Sequence, residues 1–94
     1  MDELELFKKV DALVDTMKEE FDSHWFILKL AQANQSEYVD ALVHYKSSFQ
    51  ILHGEVSRAI GATGKVENIG SFSSLNIWQE KNPCAKWKKV PKTV

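Results

Sequence analysis

The sequence contains only one cysteine, two prolines and four glycines, and each low number excludes some structures. A single cysteine, Cys84, excludes a disulfide within the chain and fits a reducing compartment. Between residues 4 and 60 there is no proline and only one glycine, Gly54, so nothing obvious breaks a helix there. No hydrophobic run approaches the roughly 18 residues that would span a bilayer, and the acidic start Met-Asp-Glu is unlike a basic signal peptide. We therefore predict a cytoplasmic protein without a membrane span.

Aromatic and charged residues are plentiful enough for a folded domain. Three tryptophans, five phenylalanines and two tyrosines can build a modest hydrophobic core, and 27% charged residues suit a soluble surface. A chain of 94 residues supports one such core and not two. The composition thus predicts a single domain over residues 1–94, without internal repeats or low-complexity segments.

Apolar residues recur at alternating steps of three and four through both halves of residues 4–60. The first series comprises Phe7, Val10, Val14, Met17, Phe21, His24, Leu28 and Ala31. The second series comprises Tyr38, Leu42, Tyr45, Phe49, Leu52, Val56 and Ala59. Such spacing is typical of one face of an amphipathic helix. It predicts one helix over residues 3–33 and another over 36–61, folded back on each other at Asn34-Gln35-Ser36.

Two dipeptides within these helices also resemble helix boundaries. Asp22-Ser23 could cap a new helix that begins at His24, and Ser47-Ser48 could form a turn. A break at either place would have to preserve the apolar spacing on both sides by coincidence. The spacing therefore favours two continuous helices, with a kink near Asp22-Ser23 as the alternative.

The C-terminal third carries weaker signals. Gly61 can end the second helix, and Lys65–Ile69 alternates like a short strand that has no evident partner. We expect residues 62–82 to be irregular, with at most one edge of a two-stranded ribbon. Asn82-Pro83 is typical of a helix start and predicts a short helix over residues 83–90. The expected fold is all-α: a long antiparallel helical hairpin with a small C-terminal segment packed across it.

Charge is unevenly distributed along the chain. Residues 1–22 hold eight acidic residues and three lysines, a net charge of −5, whereas residues 61–94 hold six lysines and two acidic residues, a net charge of +4. An antiparallel hairpin brings the end of the second helix beside the acidic start of the first. We therefore expect the C-terminal segment to lie against the acidic N-terminal segment.

Candidate chemical groups are few, and none forms a recognised constellation. His44 and His53 are nine residues apart, about half a turn out of phase, so one helix cannot direct both at one metal ion. No C-x-x-C or H-x-x-x-H spacing occurs. Cys84 lies near Lys81 and Lys86, which favour a thiolate, but no base or orienting residue is identifiable. We predict no enzymatic activity, no metal site and no cofactor.

Trp25-Phe26-Ile27-Leu28 places apolar groups around the whole circumference of the predicted first helix, so this part of it needs cover on more than one side. The second helix and the C-terminal segment together could supply it, or two hairpins could associate into a four-helix bundle. The apolar residues in excess of one seam are Trp25, Phe26, Ile27 and Leu30. We predict a small non-enzymatic interaction or regulatory protein that binds itself or another helical protein through them.

The lysine-rich C-terminal segment supports an alternative function, nucleic-acid binding. The lysines available for phosphate contacts are Lys81, Lys86, Lys88, Lys89 and Lys92. Trp78 and Trp87 lie among them and could stack on bases. The segment lacks arginine and the net charge of the chain is −1, so nucleic-acid binding ranks second.

Overall fold

Helices and a small antiparallel sheet make up the fold. The computed structural model describes residues 4–90, which contain five helices and three strands. The helices are α1 (Glu5–Lys8), α2 (Val10–Thr16), α3 (Ser23–Ala33), α4 (Gln35–His44) and α5 (Phe49–Ala62). The strands are β1 (Glu20–Asp22), β2 (Val66–Leu75) and β3 (Lys81–Lys89), in the order β1-β3-β2. With 53% helix and 25% strand, the fold is mixed α/β, so the predicted all-α helical hairpin or bundle was wrong.

The predicted helix over residues 3–33 is divided into three helices and a strand. After α2 the backbone is extended at Met17, and β1 then pairs with β3, where Phe21 lies opposite Trp87. The Asp22 carboxylate accepts a 2.7 Å hydrogen bond from the backbone N–H of Trp25 and so caps α3. Asp22-Ser23 is thus a true helix start, which the unbroken apolar spacing concealed.

The predicted helix over residues 36–61 is also two helices, because the chain turns between Tyr45 and Ser48. The N–H of Ser47 donates to the Leu42 carbonyl at 2.8 Å, and the N–H of Lys46 donates to the Val43 carbonyl at 2.9 Å. These two hydrogen bonds form at the C-terminus of a helix when the chain adopts a left-handed backbone conformation just after the helix. Lys46 has this conformation, with φ 55°. Ser48 then caps α5, its hydroxyl accepting from the backbone of Ile51 at 3.5 Å.

Neither the irregular segment over residues 62–82 nor the short helix over 83–90 is found. Both predictions were wrong because β2 and β3 form an antiparallel hairpin that spans most of this stretch. Its turn is built by Asn76, whose side-chain oxygen accepts from the N–H groups of Trp78 and Glu80 at 2.9 and 3.0 Å. Pro83 lies in β3 beyond the part that β1 covers, where a missing N–H can be tolerated.

One hydrophobic core joins the helices to the sheet. Its buried members are Leu6, Val10, Val14, Met17, Phe21, Phe26, Ile27, Leu30, Tyr38, Ala41, Leu52, Val56, Ile60, Val66 and Trp87. Those that belong to the predicted apolar series are Val10, Val14, Met17, Phe21, Tyr38, Leu52 and Val56. The spacing therefore identified many core positions, although it did not show where the helices break. The prediction of one domain over residues 1–94 stays a prediction.

The C-terminal segment lies against the acidic N-terminal segment, as the charge distribution predicted. The Lys65 ammonium is 2.8 Å from a carboxylate oxygen of Asp11 and 3.0 Å from one of Asp15. Lys86 lies 3.6 Å from the Glu20 carboxylate. Opposite charges thus lie together where the start of β2 meets α2 and where β3 meets β1. None of the helices within residues 4–90 has both the length and the apolar character needed to cross a membrane.

Candidate interaction surface

The outer edge of β2 is open to solvent. β2 is ten residues long and pairs with β3 on one side; no other strand in residues 4–90 lies beside it. Every residue from Glu67 to Ser73 is exposed. An edge of this kind presents unpaired backbone N–H and C=O groups, which can hydrogen-bond to another extended chain.

Charge is absent along most of this edge, and Glu67 near the start of β2 is the one charged residue of the strand. From Asn68 to Gln79 there is no acidic or basic residue, and strand edges that avoid pairing usually carry charge or proline. The opposite side of the sheet does carry such protection: β1 has only three residues, among them Glu20 and Asp22, and the part of β3 beyond β1 contains Lys81 and Pro83. One side of the sheet is therefore protected and the other is open. The uncharged run was readable in the sequence, but a strand had to be recognised there before the run had meaning.

Three apolar side chains project from β2 into solvent. Ile69 is 42% exposed, Phe72 is 41% exposed and Leu75 is 55% exposed. The Lys86 ammonium lies 5.8 Å from the centre of the Phe72 ring, so a flexible side chain is among the groups that cover the ring. Together with the backbone of β2, these three side chains define what we call the β2 edge surface. Large side chains left exposed along an open strand edge are typical of a binding site.

A β-bulge shapes one end of the β2 edge surface. The register with β3 shifts between Asn68 and Gly70, and the N–H of Gly70 donates to the Asn68 side-chain oxygen at 2.8 Å. Gly70 has φ 131°, which other residues rarely adopt. From Gly70 to Leu75 the register is regular. The straight part of the edge therefore has Phe72 near its middle.

The four predicted partner-binding residues are separated by the fold. Phe26, Ile27 and Leu30 are at most 2% exposed and belong to the core, where the chain itself covers them. Trp25 is 48% exposed, and Lys29 lies 4.4 Å above its ring. Trp25 and Leu75 line the same shallow cavity of about 140 Å³, which places Trp25 next to the β2 edge surface. The binding role of these residues stays a prediction, but only Trp25 is accessible for it.

Two of the lysines proposed to bind nucleic acid already contact other groups of the protein. Lys86 pairs with Glu20, and Lys89 donates to the backbone carbonyl of Asp15 at 3.2 Å. Lys81 and Lys88 are exposed and have no ion pair within residues 4–90. Lys92 lies outside the described residues. Nucleic-acid binding therefore stays a prediction, and the two accessible lysines add little to it.

A polar cleft of about 600 Å³ brings together His24, His53 and Cys84. Nδ1 of His24 is 2.7 Å from the Ser74 hydroxyl, which is 3.4 Å from the Cys84 sulfur. Burial, with a smaller contribution from His24, lowers the pKa of His53 to about 4. His53 is therefore neutral near pH 7. No group of three metal-ligating side chains with suitable geometry occurs within residues 4–90.

A second cleft of about 610 Å³ lies between the N-terminal helices and α5. Its apolar lining includes Phe7 and Tyr45, and Arg58 at its rim is 3.6 Å from Glu55. Asp11 also lines the cleft, and its carboxylate lies 2.8 Å from the Lys65 ammonium. The charged groups of the cleft are thus each close to an opposite charge, which weakens the attraction of an ionic ligand.

No protein-family model, curated protein or solved structure matches this chain. The accessible groups of the protein are therefore the only basis for a function.

Proposed function

We propose that this chain is a small, non-enzymatic, cytoplasmic interaction protein that binds an extended partner segment along the β2 edge surface. The observation that carries the proposal is the contrast between the two sides of the sheet. β1 and the free part of β3 bear charge and proline, whereas β2 has neither from Asn68 to Leu75. The proposal keeps the functional class that the sequence predicts and moves the contact from a helix face to a strand edge.

Strand addition supplies both affinity and selectivity in this arrangement. An added strand hydrogen-bonds to the unpaired backbone of β2, and its side chains meet Ile69, Phe72 and Leu75 on the two faces of the sheet. Trp25, beside Leu75, extends the contact onto α3. Regular pairing with β3 holds the segment Gly70–Leu75 in the extended conformation before a partner arrives, which reduces the entropy lost on binding.

The cytoplasmic assignment is supported by the thiol. Cys84 of β3 is free and partly buried, with its sulfur 3.4 Å from the Ser74 hydroxyl of β2. It is the one cysteine of the chain, so folding within one molecule needs no oxidising compartment.

Affinity capture with variants of the β2 edge surface tests the function. Immobilised wild-type protein, Phe72→Lys and Val43→Lys are incubated with cell extract, and retained proteins are quantified by mass spectrometry. Val43 is an exposed apolar residue on α4, so Val43→Lys is the matched control. We expect Phe72→Lys to lose proteins that wild type and Val43→Lys both retain, because a charge at the middle of the edge opposes strand pairing. Identical retention by all three would contradict the proposal.

A further inference from the structure

We infer that the strand bound along the β2 edge surface is β2 of a second copy, paired antiparallel about a two-fold axis at Phe72. This inference rests on the proposed function, since it names the partner for the same edge. It turns two three-stranded sheets into one six-stranded sheet with the order β1-β3-β2-β2-β3-β1.

Symmetry restricts the possible registers. Residues directly opposite in an antiparallel pair share a face of the sheet, and a two-fold axis normal to the sheet keeps each residue on its own face. One residue must therefore lie opposite its own copy. Centred on Phe72, the register places Phe72 opposite Phe72 and Gly70 opposite Ser74 of the second copy, all within the regular part of β2. The exposed Phe72 ring then meets its own copy, and Leu75 ends beside the bulge residue Ile69 of the second copy.

The neighbouring registers are poorer. Centred on Ser71, the pairing puts Phe72 opposite Gly70, which has no side chain to contact the ring. Centred on Ser73, it puts Phe72 opposite Ser74 and Leu75 opposite Ser71. Cross-strand aromatic and aliphatic pairs stabilise a sheet more than these combinations do. The Phe72 register is thus the favoured one.

Charge is compatible with a second copy. The paired segments, Ile69–Leu75 of each chain, contain no ionisable group, so no like charges lie directly opposite one another. The nearest charge to the axis is Lys86, 5.8 Å from the Phe72 ring, and the Glu20 carboxylate 3.6 Å away offsets it. The outer edges of the six-stranded sheet are then β1, with Glu20 and Asp22, and the free part of β3, with Lys81. These edges oppose further addition, so the assembly closes at two copies.

The contact area predicts a weak dimer. Seven residues along each edge extend for about 23 Å. With their three exposed apolar side chains, the two edges bury on the order of 1,000 Å², the lower limit for a specific interface. We therefore expect dissociation in the micromolar range.

Sedimentation velocity over a wide range of concentrations tests the dimer. Wild type and Val43→Lys are expected to shift from monomer to dimer together as concentration rises. Phe72→Lys places two ammonium groups opposite each other and is expected to raise the dissociation constant at least about tenfold. Wild type that stays monomeric at every concentration, or a dimer unaffected by Phe72→Lys, overturns the inference.

Disulfide trapping tests the register between the two β2 strands without adding a charge to the interface. In a Cys84→Ser background, Phe72→Cys is expected to cross-link to itself under mild oxidation, because β-carbons of opposed residues lie about 4.5–5.5 Å apart. A mixture of Ser71→Cys and Ser73→Cys is expected to cross-link more than either variant alone. Val43→Cys is the control and is expected to stay monomeric. Absence of the Phe72→Cys dimer overturns the register, while capture of other proteins that is lost in Phe72→Lys would leave the proposed function standing.

Discussion

The phenolic oxygen of Tyr38 and Nε2 of His53 lie 2.7 Å apart and join α4 to α5 inside the molecule. Burial raises the pKa of Tyr38, so the phenol keeps its proton at neutral and acidic pH. Burial, and then the charge of His24, lowers the pKa of His53 from 6.5 to about 4. The buried site therefore favours the neutral imidazole of His53, and protonation of His53 destabilises the folded protein.

Acid should destabilise the protein through His53. Between pH 6.5 and about 4 the unfolded chain binds a proton at His53 that the folded chain does not, so the free energy of unfolding falls as the pH falls. At about 1.4 kcal/mol for each unit of pKa, the loss is at most about 3.5 kcal/mol. Urea denaturation across this range should show a steeper pH dependence for wild type than for His53→Gln. His44→Gln, at an exposed histidine, is the control, and equal slopes in all three would contradict the prediction.

Ser23 should contribute to stability by satisfying Trp87. The indole N–H of Trp87 donates to the Ser23 hydroxyl at 2.9 Å, and that hydroxyl is 2.7 Å from the Ser57 hydroxyl. Ser23→Ala leaves a buried N–H without an acceptor, which costs about 1–3 kcal/mol in the free energy of unfolding. Ser36→Ala, at an exposed position of α4, should change it by less than about 0.5 kcal/mol. Urea denaturation compares them, and equal midpoints would show that Trp87 finds another acceptor.

Two glycines of α5 should respond in opposite ways to alanine. A Cβ at Gly54 meets nothing within 4 Å, so Gly54→Ala should stabilise the helix by about 0.5–1 kcal/mol. A Cβ at Gly61 would lie 3.1 Å from the Trp87 ring. Overpacking against this buried ring costs about 1–3 kcal/mol, which exceeds the gain in helix propensity. Thermal unfolding should rank Gly54→Ala above wild type and Gly61→Ala below it; a stabilised Gly61→Ala would mean that the ring moves freely.

The adjacent aromatic residues Trp25 and Phe26 should differ sharply. Phe26 has no exposed surface and stacks on Phe21 with ring centres 5.9 Å apart, so Phe26→Ala should cost about 3–5 kcal/mol. Trp25 is half exposed, and Trp25→Ala should cost less than about 1 kcal/mol. Chemical denaturation measures both. Similar losses would contradict the assignment of Phe26 to the core and Trp25 to the surface.

Lys65 should stabilise the protein in a manner that salt removes. Its hydrogen bonds to Asp11 and then Asp15 raise the pKa of the ammonium group, but all three side chains are in contact with water. Lys65→Met should therefore lower the denaturation midpoint slightly at low ionic strength and not at high ionic strength. Lys88→Met, at an exposed lysine without an ion pair in residues 4–90, should have no effect at either. A loss at Lys65 that persists in salt would indicate packing by its aliphatic stem.

The failure of the predicted helix over residues 36–61 shows how far apolar spacing can be trusted. Leu42 and Tyr45 pack against the core and Leu52 belongs to it, as a continuous helix would require. Yet the chain turns at Lys46, a non-glycine residue in the left-handed region, where sequence preferences do not predict one. When two successive helices pack on the same core, their apolar residues can keep one continuous spacing in the sequence even though the chain turns between them. Core contact is thus readable from spacing, and helix continuity is not.

The β2 edge surface shows a second feature that local sequence preferences do not predict. Ser71, Ser73 and Ser74 have little preference for strands, so local sequence predicts an irregular segment. They adopt a strand because β3 lies beside them, and β3 is itself paired with β1, more than sixty residues away in the chain. Only after this pairing does the absence of charge from Asn68 to Gln79 define an open edge.

By itself, the sequence determined much of the membership of the hydrophobic core and the attraction between the acidic N-terminal and basic C-terminal segments. Both depend on the chemical nature of side chains, which is the same in any fold. Only the tertiary structure decided where the helices end, which segments pair as strands, and that Phe26 is covered while Phe72 is exposed. Those outcomes depend on contacts between distant residues, whose free energy outweighs local preference.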